Sequence, residues 1–490
     1  MKIPKYVKFI LQKLIEAGFE AYIVGGCVRD FVLSEVEGFD HIPNDWDVTT
    51  NAKPEEIQKI FPDSFYENKF LTVTVRIDDN EVEVTTYRTE QGYSDKRHPD
   101  QVKYAETLAE DLSRRDFTIN AMAISEKTEN RKQKIEVVDN FEGQKDLKDK
   151  IIRTVGNAKE RFSEDALRML RAVRFATTLD FAIEEKTAKA IKENSIWLEA
   201  VSQERIRDEF VKIIMSQNAS KGIELLRELG LLKYILPELL ENIGIGQNKH
   251  HKFDCYEHAV KALEYAVKKD FNFYVRLASL LHDIAKPRVK VGEGENSTFY
   301  NHEIVGAKIT FQILNRLKFP KKDVEKITKL VRYHLFYYNV DEVTESSVRR
   351  LIKQVGLDSM EELLQVRQAD RIGSGVPKAE PYKLRHLKYL IEKVSKDPIS
   401  VKMLKVNGQD VMQILNVKPG PKIGQILDIL LEQVLNNPEN NKKEFLEKEI
   451  EKLGKLPDAE LQNLAKKADL AIEGVETKED NMVKAKYWVT

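Results

Sequence analysis

The chain has 490 residues, 42% apolar and 32% charged, enough for about three domains of ~150 residues. Lys and Arg number 79 against 80 Asp and Glu, a formal net charge of -1, so a polyanion would have to be held by local basic tracks rather than by overall charge. Cys27 and Cys255 are the only cysteines, which excludes a disulfide framework and a four-cysteine zinc site, and charges interrupt every apolar run before the ~18 residues that a membrane span needs.

The basic start, residues 1–8, is followed by Lys13, Glu16 and Glu20. That makes residues 6–17 an amphipathic helix rather than a signal peptide, and the expected location is cytoplasmic. Tyr22-Ile23-Val24, Trp46-Asp47-Val48-Thr49, residues 71–77 and residues 82–87 are short, β-branched and aromatic, as strands are. Asp78-Asp79-Asn80 reads as a hairpin turn without the usual glycine, and residues 54–60 as a helix. After Ile151 the strand signals fade and long helical periods take over. Charged or Gly/Pro-bearing stretches at 140–150, 241–249 and 374–381 divide the chain into segments 1–145, 146–245, 246–375 and 376–490. Beyond Pro438, dense Lys and Glu suggest solvated helices. The expected fold class is multi-domain α+β: a small mixed head followed by an all-α body.

Two glycines, Gly25-Gly26, follow the first strand and open a helix. Such a turn either simply joins the elements or leaves backbone N–H groups and a helix N-terminus facing an anion, with Arg29 as a charged fork. Asp45 and Asp47 lie two apart, on one face of a strand. Carboxylates held side by side repel each other, and divalent cations relieve that cost; a pair of Mg²⁺ ions so held can activate a hydroxyl and steady a leaving pyrophosphate. Glu81 and Glu83 alternate in the same way, and Glu83 is the weaker third candidate for this site.

Gly25-Gly26-Cys27-Val28-Arg29-Asp30 with Asp45-Trp46-Asp47-Val48-Thr49-Thr50 resembles the head of the class II tRNA nucleotidyltransferase and poly(A) polymerase family, one of the polymerase-beta-like nucleotidyltransferases. Arg114-Arg115-Asp116-Phe117-Thr118-Ile119-Asn120-Ala121 is similar to its ribose-recognition motif, and Glu164-Asp165-Ala166-Leu167-Arg168-Met169-Leu170-Arg171 to its nucleobase-template motif. Gln203-Glu204-Arg205-Ile206-Arg207-Asp208-Glu209-Phe210 is similar to the helix that follows. Arg115, Asp116 and Asn120 supply a cation, an acceptor and an amide that could test for a 2′-hydroxyl, or form a salt-bridged turn. Ser163 reads as an N-cap with Glu164 and Asp165 in the first helical turn, and Asp165 and Arg168, three apart, would share a face as acceptor and donor fork, or pair with each other. Arg168, Arg171 and Arg174 form a ridge that could meet triphosphate or a tRNA end.

The resemblance implies in-line attack of a tRNA 3′-hydroxyl on the α-phosphate of CTP or ATP, with Asp165 and Arg168 choosing the base in place of a nucleic-acid template. It also makes residues 87–102 a switching loop for A addition, with Asp95 and Arg97 in it. Full CCA addition is the reading; an A-adding or poly(A) polymerase is its rival. The all-α body is expected to hold the acceptor and elbow of tRNA by shape and backbone.

Farther on, His258, His282-Asp283, His302, His334 and Asp370 each sit in apolar helical sequence, where an unpaired imidazole or carboxylate is costly. The set suits a borderline divalent metal. It resembles the HD metal-dependent phosphohydrolase domain, which implies hydrolysis of a phosphate or 2′,3′-cyclic phosphate at a damaged tRNA end. A purely structural domain is the alternative, and an HD hydrolase with a degenerate head is the rival from another class.

Overall fold

The computed structural model describes residues 3–39, 41, 43, 45–67, 71–92, 101–129, 132–247, 252–340, 342–395 and 401–489. The head contains β1 (Ala21–Val24), β2 (Asp47–Thr50), β3 (Ser64–Glu67), β4 (Thr72–Ile77), β5 (Asn80–Thr86), β6 (Arg88–Gln91), β7 (Gln101–Tyr104), β8 (Met122–Glu129) and β9 (Lys132–Asp139). Seven of these form one mixed sheet in the order β3-β4-β5-β2-β1-β8-β9, and β6 and β7 pair as a separate ribbon. Alternation drives the pairing of β4 and β5, where Val73, Val75, Val82 and Val84 are buried at every second position, while the central β1 and β2 bury consecutive residues, Ile23-Val24 and Val48-Thr49-Thr50. The helix Lys5–Glu16 adds Val7, Ile10, Leu11 and Leu14.

The hairpin between β4 and β5 forms as expected. Ile77 pairs with Asn80, and Asp78, at φ 53°, takes the left-handed position that a glycine would usually fill. Within the seven-stranded sheet, three strands lie outside those expected from the sequence. β3 is a short edge strand, and β8 and β9 carry Ser125-Glu126-Lys127-Thr128-Glu129 and Lys132-Gln133-Lys134, charged runs that mask the β-branched alternation. The expected loop over 87–102 needs correction: Tyr87 is buried, its hydroxyl donating to Glu20 at 3.0 Å, and β6 and β7 flank what remains. Asp95 and Arg97 lie outside the described residues.

The body is helical, with two-residue strands Ile151–Ile152 and Ala182–Ile183 in parallel register. Helix Leu167–Leu179 shows why: it buries Met169, Leu170, Ala172, Val173, Phe175 and Ala176 along one stripe, worth ~1.5–3 kcal/mol for each large side chain. The chain divides into two compact units, Met1–His334 with Gln365–Pro377, and Leu335–Leu364 with Lys378–Thr490. The second has its own core around Val411, Ile426, Leu430, Leu446, Ile450 and Leu461, so the Lys/Glu-rich helices beyond Pro438 are amphipathic rather than solvated all round. Among the described residues, no helix is long and apolar enough to cross a membrane.

Candidate functional site

β1 ends at Val24, and Gly25, at φ 87° and ψ -141°, turns the chain into helix Gly26–Glu37. A Cβ on Gly25 would stand 3.2 Å from both Arg115 Nη1 and Asp47 Oδ2, so conformation and close approach each demand glycine here. β2 starts at Asp47. It lies antiparallel to β1, with Val24 opposite Asp47, and parallel to β5, with Asp47 beside Glu83. Asp45 lies two residues before the strand begins, so only Asp47 is on the strand where both were expected; the three carboxylates still meet at one corner of the sheet, close enough for Asp45 and Glu83 to act on Asp47. Burial pushes the Asp47 carboxyl up to about 6; Glu83 and Asp45 add to the shift and the Arg115 guanidinium opposes it. Glu81 plays no part, being paired with Arg76 at 2.9 Å on the exposed edge.

A second group of residues faces this corner. Arg29 Nη1 donates to Asn120 Oδ1 at 3.1 Å, and Asn120 Nδ2 donates to Asp116 Oδ1 at 3.3 Å. Arg171 Nε donates to Asp116 Oδ2 at 2.7 Å. Burial alone would raise the Asp116 carboxyl, but Arg171 and Arg168 outweigh it and hold the group down at about 2. Asp116 is therefore a permanent anion organising two cations and an amide. Arg115 departs from its expected place: it lies against Gly25 and Asp47 rather than with Asp116 and Asn120. Asp111, fully buried, faces Arg115 Nη2 at 3.9 Å and is itself held by Arg114 Nε and Thr49 Oγ1, which donate to it at 3.0 and 3.2 Å.

Together these residues line a cavity of about 680 Å³ that includes Gly25, Gly26, Arg29, Asp45, Asp47, Arg115, Asp116, Asn120 and Arg171. Phe175 and Lys212 also line it and escaped the sequence reading. The signal for Phe175 was its place directly behind the Arg168, Arg171, Arg174 series; for Lys212 it was spacing, three residues after Glu209 on one helical face.

Asp165, Arg168 and Glu83 are not among its walls. Ser163 is not an N-cap: it closes the preceding helix Ala158–Glu164, its hydroxyl donating to the Glu160 carbonyl. Asp165 sits in the break, in extended conformation, and accepts from the Leu167 N–H at 3.0 Å. The pair expected on one helix face is split. Asp165 takes a fork from Arg205 at 2.7 and 3.2 Å, and Arg168 bonds Glu164 and the carbonyls of Arg161 and Arg114. Arg168 thus ties this helix to the ribose-motif segment.

The histidine cluster is buried in the first unit. His258 and His282 approach through their Nε2 atoms at 2.9 Å, and both lie near Asp283 Oδ2, at 3.1 and 3.2 Å, and near Asp370 Oδ1, at 3.4 and 3.6 Å. The other Asp283 oxygen, Oδ1, faces His302 Nε2 at 3.3 Å and His334 Nε2 at 3.7 Å. Asp283 therefore bridges two ligand groups, His258–His282–Asp283–Asp370 and Asp283–His302–His334, each compact enough to hold a metal ion. Nδ1 of His282, His302 and His334 donates to the carbonyl three residues earlier at 2.7–2.8 Å. That fixes the rings and leaves Nε2 to ligate. Burial disfavours the imidazolium, yet Asp283 and Asp370 outweigh it and raise His282 to about 10, and Lys286 adds an ion pair to Asp283 at 2.6 Å. Protons here offset carboxylates that a metal would otherwise neutralise.

A carboxylate pair at the start of a strand, beside a glycine turn and facing a cation-lined cavity, defines a nucleotidyltransferase head. Residues 21–153 match the family model described as the poly A polymerase head domain, and residues 299–450 match one described as tRNA nucleotidyltransferase domain 2. Residues 180–243 match a model described as "Probable RNA and SrmB-binding site of polymerase A". The chain is 35% identical over 453 residues to the CCA-adding enzyme of Ligilactobacillus salivarius (strain UCC118), covering 91% of this chain and 95% of that one. It is 32% identical over 465 residues to that of Lactococcus lactis subsp. lactis (strain IL1403), covering 92% and 99%. The crystal structure of the Bacillus stearothermophilus CCA-adding enzyme in complex with CTP is similar at TM-score 0.55 and 28% identity, over 92% of this chain and 98% of that one. This chain belongs to the CCA-adding enzyme family.

Proposed function

We propose that the head adds C, C and A to the tRNA 3′ end from CTP and ATP, and that Asp45 and Asp47 are its catalytic carboxylates. The observation that carries this reading is the corner itself: two carboxylates two residues apart, one of them held near pKa 6 by burial and like charge, opposite the Gly25 turn and Arg115. Uncompensated negative charge in a cation-lined cavity fits Mg²⁺. When bound, the metal supplies Lewis-acid activation of the attacking hydroxyl and neutralises the leaving pyrophosphate. The chain's own groups do the rest. Gly25, Gly26 and Arg29 face the triphosphate from a helix N-terminus. Asp116 and Asn120 stand where a ribose hydroxyl can be tested, with Arg171 anchoring Asp116.

Base choice falls to Asp165 and Arg168, whose present partners, Arg205 and Glu164, would be exchanged for a nucleobase edge. The helical body, with segments 146–245 and 376–490 in contact with the tRNA, holds its acceptor and elbow by shape and backbone. Such a reaction belongs in the cytoplasm, where tRNA, CTP and ATP meet.

The histidine cluster fits two divalent ions sharing Asp283, and supports a second activity, hydrolysis of a phosphate or 2′,3′-cyclic phosphate at a tRNA end. Incorporation on three transcripts tests the main reading: tRNA lacking CCA, ending in C, and ending in CC, each given CTP, ATP or both. The expected result is completion of all three with a stop after the terminal A. Extension of the CC-ending transcript alone would make this an A-adding enzyme, and a long A tail a poly(A) polymerase.

A further inference from the structure

Phe175 sits among the cavity walls as a buried aromatic ring in a lining otherwise dominated by charge. Three guanidiniums surround it: the carbon of Arg174 lies 4.1 Å from the ring centroid, and those of Arg29 and Arg171 each lie 5.3 Å away. Arg171 and Arg174 come from the helix that carries Phe175, whereas Arg29 comes from the first turn of helix Gly26–Glu37. The ring is where the two elements' cations meet. Phe117 holds it from behind, edge to face, with centroids 5.7 Å apart and planes at 80°.

Three like charges gathered around one point repel each other, and water screens them only in part: the Arg29 and Arg174 side chains are 14% exposed and that of Arg171 is 32% exposed. Their carboxylate partners are spread apart: Arg29 pairs with Asp30 at 2.8 Å, Arg171 with Asp116 at 2.7 Å, and Arg174 with Glu209 at 3.1 Å. For Arg171 and Arg174 those contacts run through Nε. The face of an aromatic ring is a region of negative potential, so it offsets the repulsion without consuming a donor. A ring does this without the geometric demands of a carboxylate, and it adds no formal negative charge that would repel a phosphate.

We propose that Phe175 is a positioning residue for the nucleotide's triphosphate: its ring gathers Arg29, Arg171 and Arg174 into one clamp before the nucleotide arrives. This rests on the reading of the cavity as the nucleotide site and goes beyond it, because Phe175 touches the cations and not the reacting atoms. The clamp serves CTP and ATP alike, since the phosphates are common to both and the base is read elsewhere.

The test uses the full chain with Phe175→Leu, and a graded series in which Phe175 is replaced by mono-, di- and trifluorinated phenylalanine. Fluorination drains the ring face while keeping its volume nearly constant, so that series reports on the ring potential even where the leucine variant fails to fold. Binding of CTP, CDP and CMP is measured, with KM and kcat for CTP and ATP addition. The expected result is a KM for both nucleotides raised roughly three- to thirtyfold in Phe175→Leu, with kcat at saturation within about twofold, restored affinity in Phe175→Trp, and a stepwise loss of CTP affinity along the fluorinated series. CMP affinity should change little. Equal loss of CMP and CTP, or CTP affinity indifferent to fluorination, would overturn the proposal. A wild-type chain that binds no CTP at all would instead overturn the nucleotide-site reading on which it stands.

Discussion

The two ionisable clusters of the first unit solve the same electrostatic problem in opposite ways. In the head, Asp45 and Asp47 line a cavity with Glu83 beside them, and burial leaves Asp47 near pKa 6 with Arg115 as its nearby cation. Around Asp283, the carboxylates are enclosed entirely, and His258, His282 and Lys286 neutralise them from within. The first arrangement opens onto a cavity whose counter-charges are the fixed guanidiniums of its walls, and it is accessible to incoming ions and phosphates. The second is already balanced by protons, so a metal must displace them to enter. The comparison shows that a carboxylate cluster's poise depends less on the number of acids than on whether its counter-charges are titratable.

The most severe way to break the comparison is to remove one cluster at a time. Asp45→Ala with Asp47→Ala should lower nucleotide addition on the order of 10³-fold or more, with tRNA binding retained in a gel-shift assay. His282→Ala with Asp283→Ala should leave addition intact while abolishing any metal-dependent release of phosphate from a 3′-phosphorylated or cyclic-phosphate transcript. Addition that survives loss of both head aspartates would sink the catalytic assignment. Phosphohydrolase activity that survives the second pair would do the same for the histidine cluster.

A gentler probe is pH, and the sign is the same in both clusters while the windows differ. His282 is raised from 6.5 to about 10, so its contribution to folding is complete below 6.5 and is lost as pH rises through 10. Metal-free protein should therefore melt at progressively lower temperature between pH 7 and 10, by roughly 2–4 °C for each kcal/mol lost. Added divalent metal should flatten that slope, because it takes over the role of the protons. Asp47 is raised from 3.8 to about 6, so its stabilisation is complete below 3.8 and is lost as pH rises through 6. Its metal-binding form appears over that same interval. Below pH 6 the Mg²⁺ concentration for half-maximal addition should climb about tenfold per pH unit. A Mg²⁺ requirement that stays constant from pH 5 to 8 would contradict the position of Asp47 at the metal corner.

Much of this was legible in the sequence, for a physical reason. Gly25, Asp45, Asp47 and the His282-Asp283 doublet act through short-range constraints, a backbone turn or neighbours one or two residues apart, and such constraints leave marks at fixed spacing. What could not be read depends on partners distant in the chain. Asp165 looked like one half of an i,i+3 pair with Arg168, but its fork comes from Arg205, forty residues later in sequence. Ser163 carried the composition of an N-cap while lying in the last turn of the helix before. Asp111 and Phe175 are an ordinary acid and an ordinary core aromatic until folding brings Thr49 to one and Arg29 to the other. β8 and β9 were hidden because pairing and burial by neighbours, rather than their own charged sequence, make them strands.

Glu83 offers the smallest and sharpest test. It stands beside Asp47 in the parallel register of β2 and β5, and it contributes to raising the Asp47 carboxyl, yet it is not part of the cavity wall. Two roles would follow from that position, and they differ in what a single amide substitution does. If Glu83 acts on Asp47 only through its charge, Glu83→Gln removes a repulsion. Asp47 then ionises more easily, and the acid limb of the activity profile moves down by less than about one pH unit, with kcat at pH 8 nearly unchanged. If Glu83 ligates metal directly, the same change should cost on the order of 10²-fold in activity at every pH, partly recoverable with excess Mg²⁺. The exposed side of β5 on which Glu83 lies, across from the buried Val82 and Val84, favours the first outcome. A flat pH profile with a large loss would move Glu83 into the metal site.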